Sequence, residues 1–476
     1  MKYTEICNDK WLFIWVGLLL FAVIAQCMLF MSKAWKHGMG IGLKQSQLKK
    51  GLKTGITISI MPTLPVLLVL FSLTPLLGIP LPWLRLSVIG SAYYETYAAT
   101  TALSCLGETF QINGYSANGW IAALWVMTIG GSVCILWSAF AIKPISMLYE
   151  KAEKINIKLV LAVGSGCLVG VMAYVSVSYG FSAMSTKGVV FCISFAVGAF
   201  LMLVANKVEK AKWLTDYIMT ISMLAAMAAA DTGAALMKAG TTVFDFLGGA
   251  GKMKSNYQKW IHKFGISTSL LLLAAMIGLP VAASLIYGIW PDFGELWPGF
   301  VAVVLFMAPY LPSETIGYMS VMGPGALYLS YITGNVTNLR MPATIGTINA
   351  LGIKPNTDEC HTLAIIACGA SVITSIVIVA LGVVVSGPLT PIIQAPVLQP
   401  AFDYVVPALF GGLVAQTVIK GKKEIFHYLI PLAVCLFFCY CTKVASAYYM
   451  LIVIAVSAAV AVMDYLKTEK KEERGE

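Results

Sequence analysis

The sequence predicts an all-α, polytopic helical membrane protein of about 12 transmembrane helices, built as two inverted repeats that each carry a re-entrant or broken-helix segment. Three observations predict it. Of 476 residues, 59% are hydrophobic and 11% charged, against roughly 25% charged in soluble domains. Apolar stretches of about 20 residues, enough to cross a hydrocarbon core roughly 30 Å thick, recur from one end of the chain to the other. The lysines gather in short segments between those stretches, where they orient helices rather than bind nucleic acid.

Apolar windows place spans near 11–31, 56–79, 117–142, 158–180, 187–206, 214–236, 265–290, 297–312, 360–386, 401–419, 427–442 and 445–465. The first is too long and apolar for a cleaved signal peptide. Within it, Ile24-Ala25-Gln26-Cys27 is only superficially like a lipoprotein cleavage site, because Gln26 is too large for the position before the cysteine.

Orientation follows from lysine. Segment 32–55 holds Lys33, Lys36, Lys44, Lys49, Lys50 and Lys53 with no acid, so it is expected inside and the N-terminus outside. Segments 143–158, 207–212, 252–263 and 420–427, and the tail with Lys467, Lys470, Lys471 and Arg474, are expected inside as well. Two long, patchily apolar segments, 80–116 and 313–358, must then leave and return on one side of the membrane. Segment 213–251 must also begin and end inside, as two short spans or as a helix broken near Asp231, Thr232 and Gly233.

The two excursions resemble each other. Leu86-Ser87-Val88-Ile89-Gly90 recurs as Met319-Ser320-Val321-Met322-Gly323, and Thr96-Tyr97 falls on Ser330-Tyr331 with one inserted residue. Each follows a proline-rich apolar span and precedes a glycine-interrupted one. The lysine count sends span 56–79 outward and span 297–312 inward. Related halves of opposite orientation, here 1–250 and 251–476, are the pattern of an inverted repeat.

The run Leu84 to Glu95, LRLSVIGSAYYE, resembles a family of bacterial multi-pass membrane proteins of unknown function. The resemblance covers roughly the first half of the chain and implies the bacterial cytoplasmic (inner) membrane but no substrate. The run Thr333-Gly334-Asn335-Val336-Thr337-Asn338 is loosely similar to polar hairpin tips of the ion-transporter superfamily that carries carboxylates, without its usual Ser-Asn-Thr order.

Irregular backbone at membrane depth is tolerable only where protein or a wet cavity satisfies it, so the excursions are the candidate binding segments. Substrate-binding candidates are Arg85, Thr100, Thr101 and Ser104 in the first, and Thr333, Asn335, Thr337, Asn338 and Arg340 in the second. In the repeat alignment Thr100, Thr101 and Ser104 fall opposite Gly334, Asn335 and Asn338. The same composition also suits solvated loops. Glu95 and Asp231 are the acids set deepest in apolar sequence and the candidate ion-coupling residues. Arg85 is either a structural partner of Glu95 or a ligand of the solute. Arg340 either binds an anionic solute or marks the cytoplasmic membrane edge.

Catalytic, cofactor and metal residues are not expected. No HExxH, GxSxG or CxxC occurs, the eleven cysteines lie mostly in apolar runs, and His37, His262, His361 and His427 are scattered. Gly248-Gly249-Ala250-Gly251-Lys252 lacks the remaining residues of a phosphate-cradling loop. The sequence therefore reads as a secondary active transporter of a small polar solute, an organic acid or amino acid in preference to a sugar. Na+ or H+ would drive it, by alternating access. Its partners are the solute and the lipid bilayer, and a homodimer is compatible with the sequence. The rival readings are a channel and, further off, a membrane-embedded enzyme.

Overall fold

The computed structural model describes residues 2–177, 186–207, 218–229, 255–308, 310–393, 408, 411–412, 414–415, 422–441 and 446–474. Asp231, with the whole of 230–254, and Lys443 lie outside the described residues. Among the described residues there is no strand, only an isolated bridge between Lys2 and Ser116. Among the described residues, seven helical segments are long and apolar enough to cross a membrane: Lys10–Gly40, Gln45–Leu77, Ala117–Phe140, Gly188–Ala205, Asn256–Tyr287, Phe293–Pro312 and Asp358–Ser386. The protein is a polytopic helical membrane protein.

The chain forms two compact units, each drawing on both halves of the sequence. The first comprises Met1–Ser146, Leu247–Ala308 and Met319–Ala395. Its helices are α1 (Lys10–Gly40), α2 (Gln45–Leu77), α3 (Pro80–Ser87), α4 (Ala92–Cys105) and α5 (Ala117–Phe140), then α9 (Ser255–Tyr287), α10 (Phe293–Met307), the end of α11 (Tyr310–Thr333), α12 (Met341–Leu351) and α13 (Asp358–Ile393).

Local signals set these boundaries. Ser116 caps α5 by accepting from the Gly119 amide at 3.1 Å, and Asp292 caps α10 by accepting from Gly294 at 2.7 Å. Gly78, at φ 81°, ends α2 where any Cβ would strike the Cys7 carbonyl. Pro62, Pro65 and Pro75 inside α2 remove backbone donors. The apolar surroundings tolerate the loss, and Ser59, Thr63 and Thr74 hydroxyls bond back to Gly55, Ser59 and Leu70 carbonyls.

Two helices form the core of this unit. The most apolar stretch of α5 is 83% buried and that of α13 72%, against 39% for α1, α2 and α9. Large apolar side chains such as Leu18, Phe21 and Leu271 are left exposed on the outer helices, as a lipid-facing surface requires. Close approach on α13 is permitted by small residues: a Cβ on Gly55 of α2 would stand 2.9 Å from the Ala367 backbone.

The arrangement has an internal correspondence. Helices α1 and α2 sheathe α13, while α9 and α10 sheathe α5; α4 packs on α5 and α10, while α12 packs on α13 and α2. Exchanging α1, α2, α4 and α5 for α9, α10, α12 and α13 reproduces these packings. Both ends of α1 are tied to α9. At one end Trp11 donates to the Tyr287 hydroxyl at 2.9 Å, and at the other His37 stacks on Tyr257 at 3.8 Å and meets Asp358 of α13 at 3.0 Å.

The second unit comprises Met147–Phe246, Pro309–Tyr318 and Pro396–Glu476. It contains most of α6 (Ile142–Ser176), with α7 (Thr186–Lys207), α8 (Ile218–Ala229), α14 (Lys422–Cys441) and α15 (Ser446–Arg474). Gly166 and Gly170, one turn apart on α6, bring its backbone against α15, where added Cβ atoms would stand 2.8 Å from Ala458 and Ile454. The Tyr428 hydroxyl donates to Ser176 at 2.6 Å.

Candidate functional site

Both excursions break helices inside the first unit. After α3, Val88 is extended at φ −139° and Ile89 has φ 68° before Gly90 and Ser91 lead into α4. A β-branched residue in the left-handed region is strained, at a cost of about 1–3 kcal/mol that the surroundings must hold in place. Glycine is required next to it, because a Cβ on Gly90 would collide with the Arg85 carbonyl and the Glu95 carboxylate.

The second break follows α11. Gly334 at φ 65° and Asn335 at φ 52° are both left-handed, and Val336–Arg340 form one π-helical turn before α12. The Asn335 carbonyl accepts from the Leu339 and Arg340 amides at 2.9 and 3.3 Å. Asparagine suits the left-handed region better than other side chains, and π-turns are frequent at functional positions.

The two breaks touch. The Ile89 amide donates to the Ile332 carbonyl at 3.1 Å, and the Asn335 carboxamide reaches the Leu86 carbonyl at 3.5 Å. Each break thereby satisfies backbone groups of the other, as irregular backbone among apolar helices must.

Buried charges flank this contact. Arg85 Nε donates to Glu95 Oε2 at 2.9 Å, with 1% and 0% of the two side chains exposed. Arg85 Nη2 and the Tyr94 hydroxyl both donate to the Met127 carbonyl of α5, at 2.9 and 2.6 Å, and the guanidinium lies over the Tyr94 ring. Gly130 and Gly131 make room, since Cβ atoms there would stand 2.6 Å from the Tyr94 hydroxyl and Arg85 Nη2. Arg85 Nη1, Glu95 Oε1, Ser87 Oγ and Thr128 Oγ1 remain buried without a hydrogen-bond partner. Such groups cost about 1–3 kcal/mol each, and here four of them belong to the first break and the start of α5's central turn.

Arg340 is also fully buried. Its Nη1 donates to Ser371 Oγ at 3.1 Å and Ser375 Oγ at 2.9 Å, its Nη2 points to the Thr333 carbonyl at 3.5 Å, and its Nε has no partner. It is not at an exposed edge of the unit.

The other candidates are distributed differently. Thr100, Thr101 and Ser104 donate to the Thr96, Tyr97 and Thr100 carbonyls of their own helix, and residues 86–90 lie against Gly334 and Asn335. The reason is geometric: hydroxyls in a continuous helix bond the preceding turn, while Gly90 offers bare backbone. Thr333 bonds the Leu329 carbonyl and Thr337 is half-buried. The side chain of Asn338, like Asp231, lies outside the described residues. Sequence reasoning missed Ser371 and Ser375, whose spacing puts both on one face of α13, and the Met127 carbonyl, which Gly130-Gly131 unshield.

Residues 8–227 match the model of a family described as a domain of unknown function (DUF5058), in agreement with the resemblance of the first half to an uncharacterised family. The match takes in the first break with Arg85 and Glu95, and ends before the second. No curated protein and no solved structure matches the chain.

Proposed function

We propose that the protein is a secondary active transporter that moves a small polar solute, an organic acid or amino acid, across the bacterial cytoplasmic membrane by alternating access. The observation that carries this reading is the meeting of two broken helices, Ile89 to Ile332 and Asn335 to Leu86, with buried charge on both. Broken helices that face each other near the middle of a helical assembly are where secondary carriers hold solute and coupling ion. The solute sits between the breaks, with Asn335, Thr333 and Arg340 on one side. On the other, Glu95 couples transport to H+ or Na+. Asp231, outside the described residues, is the second acid proposed for coupling.

An inverted repeat within about twelve spans supports rocking as the transport movement. In its favour, the matched motif copies Leu86–Gly90 and Met319–Gly323 each run into a break: φ is 68° at Ile89 and 63° at Gly323. The helix correspondence, in which each half's outer helices cover the other half's buried one, points the same way.

Uptake into proteoliposomes of labelled organic acids and amino acids, under imposed Na+ or pH gradients, tests the proposal. Saturable accumulation against a gradient is the expected result. Unsaturable conductance with single-channel currents would replace the carrier with a channel.

A further inference from the structure

We infer that Arg340 is the anion-binding residue of this site and that the solute is an organic acid, held by a carboxylate on the Nε–Nη2 edge of the guanidinium. The inference rests on the transport reading and narrows its substrate class.

Two arginines in the first unit are equally buried, and they differ in what surrounds them. Arg85 has a carboxylate at 2.9 Å. Arg340, wholly buried, has two serine hydroxyls and one distant carbonyl, all neutral, and among the described residues no Asp or Glu forms an ion pair with it. A guanidinium does not shed its proton to escape burial, and an uncompensated buried charge is strongly unfavourable. A counter-anion therefore completes this environment.

The hydrogen bonds also say which face receives it. Ser371 and Ser375 occupy both protons of Nη1 and lock the plane of the fork against α13. Nε is unpartnered, and Nη2 has only the 3.5 Å approach to Thr333. Nε and Nη2 are the two parallel donors that match the oxygen spacing of a carboxylate. The edge left without strong partners is thus the one suited to bind a carboxylate bidentately, beside Thr333 and Asn335 of the second break.

The same inventory separates an acid from an amino acid. An ammonium group needs an acidic partner, and Glu95 is the single acid in Leu84–Glu95 and Thr333–Arg340 together. Its charge is already balanced by Arg85, which holds Oε2 and leaves only Oε1 without a partner. A solute with a carboxylate and no ammonium fits both facts.

The test is binding to the purified full-length protein, read by thermal unfolding and by calorimetry, with acetate, lactate and succinate against the amides acetamide and lactamide, alanine as zwitterion, and chloride. The expected result is saturable stabilisation by a carboxylate and not by its amide. Arg340→Lys, which keeps the charge and loses the fork, should weaken that binding about tenfold or more, the size of one charge-assisted pair. Ser371→Ala with Ser375→Ala, which frees the fork and leaves Arg340 in place, should weaken it in the same direction and decides the matter if the Arg340 variant does not fold. Stabilisation by chloride alone, dependent on Arg340, would make the group an inorganic counter-ion site and overturn the inference. So would no carboxylate effect, or one that all variants retain. Arg340-dependent carboxylate binding without accumulation in proteoliposomes would instead sink the carrier reading and leave the anion site standing. Accumulation that ignores Arg340 would do the reverse.

Discussion

Gly334 lies directly against Gly90: a Cβ on Gly334 would stand 2.6 Å from the Gly90 carbonyl oxygen and 2.8 Å from the Ile89 carbonyl carbon. The contact is backbone on backbone, so neither side can yield by a rotamer change. It joins a segment preceding α4 to one preceding α12, more than 240 residues apart in sequence, and makes the two breaks one mechanical unit.

Gly334→Ala should therefore destabilise the protein beyond the cost of its left-handed backbone. Alanine in that region costs about 1–2 kcal/mol, and here the breaks must also separate. Gly107→Ala is the comparison, because Gly107 has φ 68° and nothing within 4 Å of its added Cβ. Thermal unfolding should show a clearly larger loss for Gly334→Ala. Equal losses would mean the breaks are not in tight contact.

Breaking the Arg85–Glu95 pair should cost more than removing it. Glu95→Gln leaves a buried guanidinium uncompensated, at about 3–5 kcal/mol, whereas Arg85→Gln combined with Glu95→Gln should cost much less. Additive losses in that cycle would show that the pair contributes nothing jointly. If Glu95 couples transport, the folded double variant binds solute but no longer concentrates it. The gradient lost identifies the ion: a proton carrier responds to external pH, a Na+ ligand to Na+ concentration.

Asn335 holds a left-handed turn and, in the proposed carrier, offers its carboxamide to the solute, and substitution can separate the two. Asn335→Gly keeps the left-handed turn and deletes the carboxamide, so the protein should fold normally and lose uptake. Asn335→Ala should lose uptake and also about 1 kcal/mol or more of stability, since alanine disfavours φ 52°. Undiminished uptake by Asn335→Gly would remove the second break from solute binding.

Orientation is open to direct labelling. With the exposed Cys192 and Cys441 replaced, cysteines introduced for Gln47 and Asn256 should react only from the cytoplasm, and one for Phe293 only from outside. Reaction of positions 47 and 256 from opposite sides would exclude the inverted arrangement.

Most of the environment and some of the site were legible in residue types. Apolar runs separated by lysine announce membrane helices, because the free energy of transfer is large and nearly independent of partners. The glycines at 90 and 334, and the unusual charges Arg85, Glu95 and Arg340, mark where regular helix and apolar surroundings fail. The bonds of Thr100, Thr101 and Ser104 to their own helix were not legible, because a hydroxyl's presence in the sequence does not say which carbonyl takes its proton.

What the sequence determined, then, was a helical membrane protein, the approximate places of the seven apolar spans found among the described residues, and the two segments where the helices break. Tertiary structure decided the surroundings of each charge: Arg85 is neutralised by Glu95 ten residues away, while Arg340 is oriented by Ser371 and Ser375 and has no acid paired with it among the described residues. It also decided that residues 86–90 meet the second break. The physical reason is that transfer energies belong to individual residues and add along the chain. Hydrogen bonds and charge pairs in an apolar interior exist only between groups brought within about 3 Å of each other, and distant segments acquire that proximity only when α5 and α13 are buried.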